Sequence, residues 1–301
     1  MPSLPSRILT GLLRAGMRNS FTSVEDFPQR RAKTERNERM LRILDRGFTR
    51  RNGELGSIPC QWITTRQSEP QTILLYFHGG GFCIRTPVVH GQFLARLCSG
   101  SGTTGLMPDY RLAPEHPFPA AYEDCLTVYR AILEQGYSPG KIVFAGDSAG
   151  GALVIGTLIQ ARDAGLPIPA CGVMFSPGLG ALHNPEVLAN ATEGPLLTFE
   201  SMMFFGRAIG ADRRPEHPLA LLIENDLTGL PPLLFQAGSG EILMQDSVQG
   251  AAKAEQAGVE AQLEIYEGMM HVFQLVPYLP EARCAIRRAI SFIRGHLPAE
   301  E

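Results

Sequence analysis

Five residues, Gly146-Asp147-Ser148-Ala149-Gly150, carry the first sign of chemistry in this chain. They lie between the apolar run Ile142-Val143-Phe144-Ala145 and a helical stretch from Gly151 to Ala164. Strand, glycine, hydroxyl, glycine and helix in that order describe a sharp turn whose central residue is pushed out at the top of a sheet. Glycine is required at both ends because backbone there crosses backbone. Ser148 is therefore the candidate nucleophile. A serine hydroxyl is too weakly acidic to attack a carbonyl unaided at neutral pH, so it needs a base, a group that orients the base, and donors for the anion that forms. His78-Gly79-Gly80-Gly81-Phe82 offers donors, since three successive glycines end any strand and turn backbone N–H groups toward open space as a cradle for negative charge. Glu241 and Asp246 are rival acids. Of seven histidines, His271 follows both acids in a loop after the last core strand, which gives the chain order Ser148, Glu241, His271.

These residues need elements to hold them. Thr72 to Phe77 is a nearly continuous apolar run, the mark of a strand covered on both faces in a mainly parallel sheet, and the glycine loop follows it directly. Leu233 to Ala237 is another such strand, ending in Gly238-Ser239-Gly240-Glu241, and functional residues of open α/β sheets collect past strand C-termini. Gln262 to Tyr266 reads as the strand before His271. Further strands are expected at Gln61 to Thr64, Thr103 to Met107 and Cys171 to Phe175. Helices are expected at His90 to Cys98, Ala120 to Gln135 and Ser247 to Ala257. Asp246 then reads as a helix-start residue. Between Asp109 and Pro119 three prolines in six residues fix a rigid loop, in which Asp109 and Arg111 read as a buried structural pair and His116 as structural. Arg30 to Arg51 places Met40, Leu41, Ile43, Leu44 and Phe48 on one face of a helix, expected to lie on the core. Leu196 to Ile209 carries more Met, Leu and Phe than one helix face needs, an adaptable surface suited to an apolar substrate group.

Composition narrows the function classes. With 301 residues, 44% apolar and 19% charged, the chain can bury a large core, and one α/β domain is favoured over two. A formal net charge of −3 gives no field favouring nucleic acid or an anionic membrane, so the expected partner is small and uncharged. The six cysteines lie far apart without metal-ligand spacing and read as reduced packing residues. The apolar patch Ile8 to Leu13 is short and interrupted by Gly11, which argues against a leader or a span and, by default, for a cytoplasmic protein without stable membrane association.

HGGGF, DYRLAPEHPFPA and GDSAGG, in this order and spacing, resemble the hormone-sensitive-lipase family of α/β-hydrolase esterases. The likeness continues through Gly229 to Leu234, Gly238 to Leu243 and Tyr266 to Phe273, and covers about residues 50 to 295. It implies an eight-stranded, mostly parallel sheet flanked by helices. Residues 1–45 and 180–222 would form a helical cap, and 46–179 and 223–301 the catalytic domain. It also implies a serine esterase for short- to medium-chain carboxylic esters, working through an acyl-enzyme without metal or organic cofactor. Ser148, Glu241 and His271 would be catalytic, with Gly79, Gly80, Gly81 and Ala149 as the oxyanion hole. Phe82, Asp147, Met202, Phe204, Phe205 and Val272 are candidates for the substrate pocket. The family usually has aspartate where Glu241 stands; glutamate does the same job with one more methylene, so Glu241 is preferred to Asp246. An amide or lactone hydrolase on the same triad is the alternative. A non-catalytic receptor of the kind that resembles this family in plants loses the histidine, which is present here. A homodimer through the sheet edge is the family habit.

Overall fold

The computed structural model describes residues 2–16, 27–180, 185–210, 213–214 and 216–298. Two helices come first, α1 (Leu4–Gly16) and α2 (Phe27–Arg39), and then the chain enters an eight-stranded sheet. The strands are β1 (Phe48–Leu55), β2 (Ile58–Thr65), β3 (Glu69–Phe77), β4 (Thr103–Pro108), β5 (Ile142–Asp147), β6 (Cys171–Phe175), β7 (Leu233–Gly238) and β8 (Ala261–Tyr266). Their spatial order is β1-β2-β4-β3-β5-β6-β7-β8. β1 with β2 and β2 with β4 run antiparallel, and every other pair is parallel.

The remaining helices are α3 (Pro87–Ser101), α4 (Ala120–Glu134), α5 (Ala149–Asp163), α6 (Pro185–Ala189), α7 (Phe199–Ile209), α8 (Met244–Gln256) and α9 (Pro280–His296), and of these α3, α4, α5, α8 and α9 cover the two faces of the sheet. The alternation along β3 explains how. Ile73, Leu75 and Phe77 join a core with α4, α5 and α8, while Leu74 and Tyr76 join a second core with α3 and α9. Strands buried on two faces must be apolar at every position, as the run Ile73-Leu74-Leu75-Tyr76-Phe77 is. After β3 the chain crosses to β4 on one side, and β5 lies on the other side of β3. Such a reversal opens a crevice at the strands' C-terminal ends, which here are the glycine loop and Ser148.

Three sequence expectations change. The helix expected over Arg30 to Arg51 stops at Arg39, a 3₁₀ turn spans Met40–Leu44, and Phe48 begins β1. Of its apolar face, Met40 and Ile43 are 75% and 79% exposed, and Phe48 packs on the core from β1. Gly47, at φ +79°, reverses the chain, and Arg50 ties Asp45 to the carbonyls of Pro87 and Val88. β1 itself is too polar to read as a strand. It forms because Gly56 and Ser57, both at positive φ, close a two-residue hairpin onto β2. Asp109 and Arg111 do not pair with each other and are not buried: Asp109 meets Arg85, and Arg111 meets Asp124 at 2.8 Å and Glu123 at 3.0 Å in the first turns of α4. His116 is exposed and borders the main cavity.

Five of the six cysteines are buried and all are free, with burial pushing the Cys60 and Cys83 thiols up to about 12. Among the described residues no helix is long and apolar enough to cross a membrane.

Candidate active site

Ser148 stands between β5 and α5 at φ +54°, ψ −119°, a conformation that L-residues avoid. The neighbouring backbone forces it. A Cβ on Gly150 would sit 1.9 Å from the Phe77 carbonyl oxygen, and one on Gly146 2.3 Å from the Gly150 carbonyl oxygen. Only glycines let the start of α5 cross the ends of β3 and β5 this closely. The Ser148 N–H donates to Phe175 O at 2.8 Å, which fastens the turn to the end of β6.

The loops after β7 and β8 are tied to one another, and this brings acid and imidazole together. Ser239 N donates to Tyr266 O at 2.9 Å, Gly240 N to Met269 O at 3.0 Å and Gly268 N to Ser239 Oγ at 2.7 Å. Glu241 is 1% exposed, and its Oε2 lies 2.5 Å from His271 Nδ1. Its Oε1 accepts Gly238 N–H and Ser176 Oγ–H, each at 2.8 Å. A carboxylate on Nδ1 keeps the proton there and leaves the Nε2 lone pair free. That nitrogen is 2.9 Å from Ser148 Oγ. Asp246, in the first turn of α8, instead accepts the N–H groups of Leu179 and Gly180 at 2.5 and 2.7 Å.

Hydroxyl, imidazole and carboxylate in unbroken hydrogen-bond contact can deprotonate the serine as it attacks a carbonyl. Comparisons with known proteins give the family. Residues 74–275 match the family model described as alpha/beta hydrolase fold. An acetyl-hydrolase of Streptomyces hygroscopicus is 39% identical over 246 residues, 80% of this chain and 81% of that protein. An esterase of Acinetobacter venetianus is 33% identical over 229 residues, 75% of this chain and 76% of that protein. The solved structure of an esterase from the bacterial hormone-sensitive lipase family superposes with a TM-score of 0.86 at 34% identity, covering 99% of this chain and 100% of that one.

This chain belongs to the hormone-sensitive-lipase family of α/β-hydrolases. It is a carboxylic-ester hydrolase.

The hydrolase has a cavity of about 960 Å³ beside Ser148, bordered by Gly80, Gly81, Ala149 and His271. Peptide geometry sets the direction of its N–H groups, because the C=O of one residue and the N–H of the next point opposite ways. His78 Nδ1 bonds the Gly79 carbonyl at 2.7 Å, so the Gly80 N–H points away from the His78 ring. Burial holds His78 neutral, its pKa pushed down to about 3. The Gly80 carbonyl accepts Cys83 N and Ile84 N at 3.1 and 2.9 Å, so the Gly81 N–H points away from that turn. The Ala149 N–H is in the first turn of α5, where no intrahelical acceptor exists. Gly79 differs from the other oxyanion-hole candidates: it does not border the cavity, and its N–H donates to Asp147 Oδ1 at 2.9 Å. A Cβ there would lie 2.2 Å from Asp147 Oδ2, so the glycine makes room for the carboxylate.

Of the pocket candidates, Phe82, Met202, Phe205 and Val272 border the cavity. Phe204 does not; it is buried on Phe27 of α2, ring centroids 5.2 Å apart, because α7 turns that face toward the N-terminal segment. Asp147 borders the cavity, but its carboxylate bonds Tyr76, Gly79 and His90.

Sequence reasoning missed Ser176. It sits just past β6 at φ +50°, fully buried, with its hydroxyl donating to Glu241 and accepting Val272 N–H at 3.1 Å. The available signal was position alone, a hydroxyl at the C-terminal end of a central strand. Tyr110 was missed as well; it stacks on His78 at 4.2 Å and donates to the His78 carbonyl at 2.7 Å.

Proposed function

We propose that the protein hydrolyses small, uncharged short- to medium-chain carboxylic esters through an acyl-enzyme on Ser148, with His271 as base and acid and Glu241 orienting it. Ser148 Oγ bonds to the ester carbonyl carbon while its proton passes to His271 Nε2. The carbonyl oxygen becomes an anion, received by the N–H groups of Gly80, Gly81 and Ala149. One such donor is worth about 3 kcal/mol of barrier. The imidazolium, steadied by Glu241, returns the proton to the alcohol oxygen as the carbon–oxygen bond breaks. Water then attacks the acyl-serine by the same route, the acid leaves, and Ser148 is restored. No step calls for a metal or organic cofactor.

The observation that carries this reading is the 2.9 Å approach of His271 Nε2 to Ser148 Oγ, with the acid already on the far nitrogen. Apolar side chains such as Phe82, Phe118, Leu197 and Phe205 border the cavity and suit an apolar acyl or alcohol group. Phe27 touches both Phe204 and Phe205 of α7, which supports residues 1–45 and 180–222 as the two pieces of one cap over residues 46–179 and 223–301. Residues 1, 17–26, 181–184, 211–212, 215 and 299–301 of these ranges lie outside the described residues.

The purified protein should turn over p-nitrophenyl butyrate faster than the palmitate ester, the butyryl anilide and a lactone. Faster turnover of the palmitate would refute the chain-length assignment, and faster turnover of the anilide or lactone the ester preference. At the edge of the sheet, Leu263 and Ile265 of β8 are each 39% exposed and favour a homodimer through that strand. Ile265→Lys should then sediment as a monomer where the wild type is a dimer; a wild-type monomer would refute the pairing.

A further inference from the structure

Behind the glycine loop lies a second histidine–carboxylate pair, which the acyl-transfer steps do not use. Asp147, the last residue of β5, is 2% exposed, and His90, from α3, is 3% exposed. Asp147 Oδ1 accepts the Tyr76 hydroxyl and, at 2.9 Å, the N–H of Gly79; its Oδ2 lies 3.4 Å from His90 Nε2. Thr86 Oγ1, 2.9 Å from His90 Nδ1, fixes the ring from the other side. A carboxylate this deep is tolerated only when charge and hydrogen bonds replace the water it has lost. Burial alone would push the His90 ring down, but the facing Asp147 outweighs it and the ring's pKa ends raised. Burial would likewise raise Asp147, and the His90 charge and the hydrogen bonds leave it lowered.

The site of attachment gives this pair a consequence for chemistry. Asp147 grips the N–H of Gly79, and His78 grips that residue's carbonyl. The two peptide planes of Gly79 are thus held from both ends, and the second of them contains the N–H of Gly80. The carboxylate also fills the space that a side chain on Gly79 would occupy, so the loop rests directly on it.

We propose that Asp147, held in place by His90 and Tyr76, is the anchor that aims the oxyanion-binding N–H groups of the glycine loop, which makes His90 and Tyr76 positioning residues for transition-state stabilisation. This rests on the Ser148 reading above and adds to it the device that keeps the donors aimed. Misplacing such donors by about an ångström is enough to lower a rate by about a hundredfold.

The test compares ester turnover with affinity for butane-1-boronic acid, which adds reversibly to Ser148 Oγ and places a negatively charged oxygen where the oxyanion would sit. In His90→Leu, kcat for p-nitrophenyl butyrate should fall by about tenfold or more with KM within about twofold of wild type, and boronate affinity should weaken by the same factor as kcat. His90→Gln keeps an N–H donor toward the carboxylate and should restore most of both. A fall in kcat with boronate affinity unchanged, or a rise in KM with kcat unchanged, overturns the proposal. Should His90→Leu lose its near-ultraviolet circular dichroism, Tyr76→Phe, which removes a single hydroxyl, carries the same comparison, and an unchanged boronate affinity there overturns it equally. A wild-type protein that neither hydrolyses the ester nor binds the boronate refutes the Ser148 reading itself, an outcome distinct from a variant that keeps wild-type affinity.

Discussion

At the residue scale, the acid is the position where the family pattern is broken and where geometry decides. Glutamate reaches farther than aspartate, and the short tie between the β7 and β8 loops brings that longer arm onto His271. Glu241→Gln should therefore lower kcat by about 10³ to 10⁴, as loss of the orienting carboxylate does in serine hydrolases, while Asp246→Asn leaves kcat within about tenfold of wild type. Steady-state kinetics of the two variants checks this, and the reverse ranking would assign the acid to Asp246. Ser176→Ala removes a bond from Glu241 and one from Val272 N–H, so its loss should fall between those two. The contact among Ser148, Glu241 and His271 could be anticipated because each lies past a strand end in a characteristic order. Ser176, Tyr76 and His90 were not, because a residue that acts by touching another carries no motif of its own. Gly79 shows the complementary limit: its type was legible, but the N–H it gives to Asp147 becomes visible only once β3 and β5 lie side by side.

At the scale of elements, the turn from β5 into α5 is the part with least tolerance. Gly150→Ala would place a methyl 1.9 Å from a backbone oxygen of β3, where no flexible side chain can yield. It should cost about 3 kcal/mol of stability or more, seen as a lower denaturant midpoint; a midpoint equal to wild type would contradict the close crossing of these elements. The stretches buried on two faces, Ile73 to Phe77 of β3 and Ile142 to Ala145 of β5, were readable from composition because every position in them is apolar. β1 was not: an edge strand needs partners on one side only, and its sequence Phe-Thr-Arg-Arg-Asn-Gly-Glu-Leu answers to its hairpin with β2 and not to a core. The helix expected from Arg30 to Arg51 fails for a related reason. Helical spacing of Met40, Leu41 and Ile43 signals a buried face only if something covers it, and here those side chains face solvent.

Over the whole molecule, the buried His90–Asp147 pair links stability to pH. His90 has its pKa raised above the ordinary 6.5, so its contribution is complete below that value and is lost as pH rises through the folded-state value. Asp147 has its pKa lowered below the ordinary 3.8, so its contribution is complete above that value and is lost as pH falls through the folded-state value. Around the pair stand Glu38 from α2, Arg50 from β1, His78, Tyr76 and Tyr110, and of these Glu38 adds to the raising of His90. The denaturant midpoint should thus fall on the alkaline side in wild type, and His90→Gln should lack that part of the fall; identical profiles would contradict a charged His90. The larger claim is that residues 148, 241 and 271, brought together by a single sheet, act as one acyl-transfer unit. The most direct measurement is peptide mass spectrometry of protein mixed with p-nitrophenyl butyrate and quenched in acid before turnover is complete. A butyryl group on the peptide carrying Ser148, absent in Ser148→Ala, is the predicted result. Ester turnover without that adduct, or undiminished in Ser148→Ala, would contradict the account.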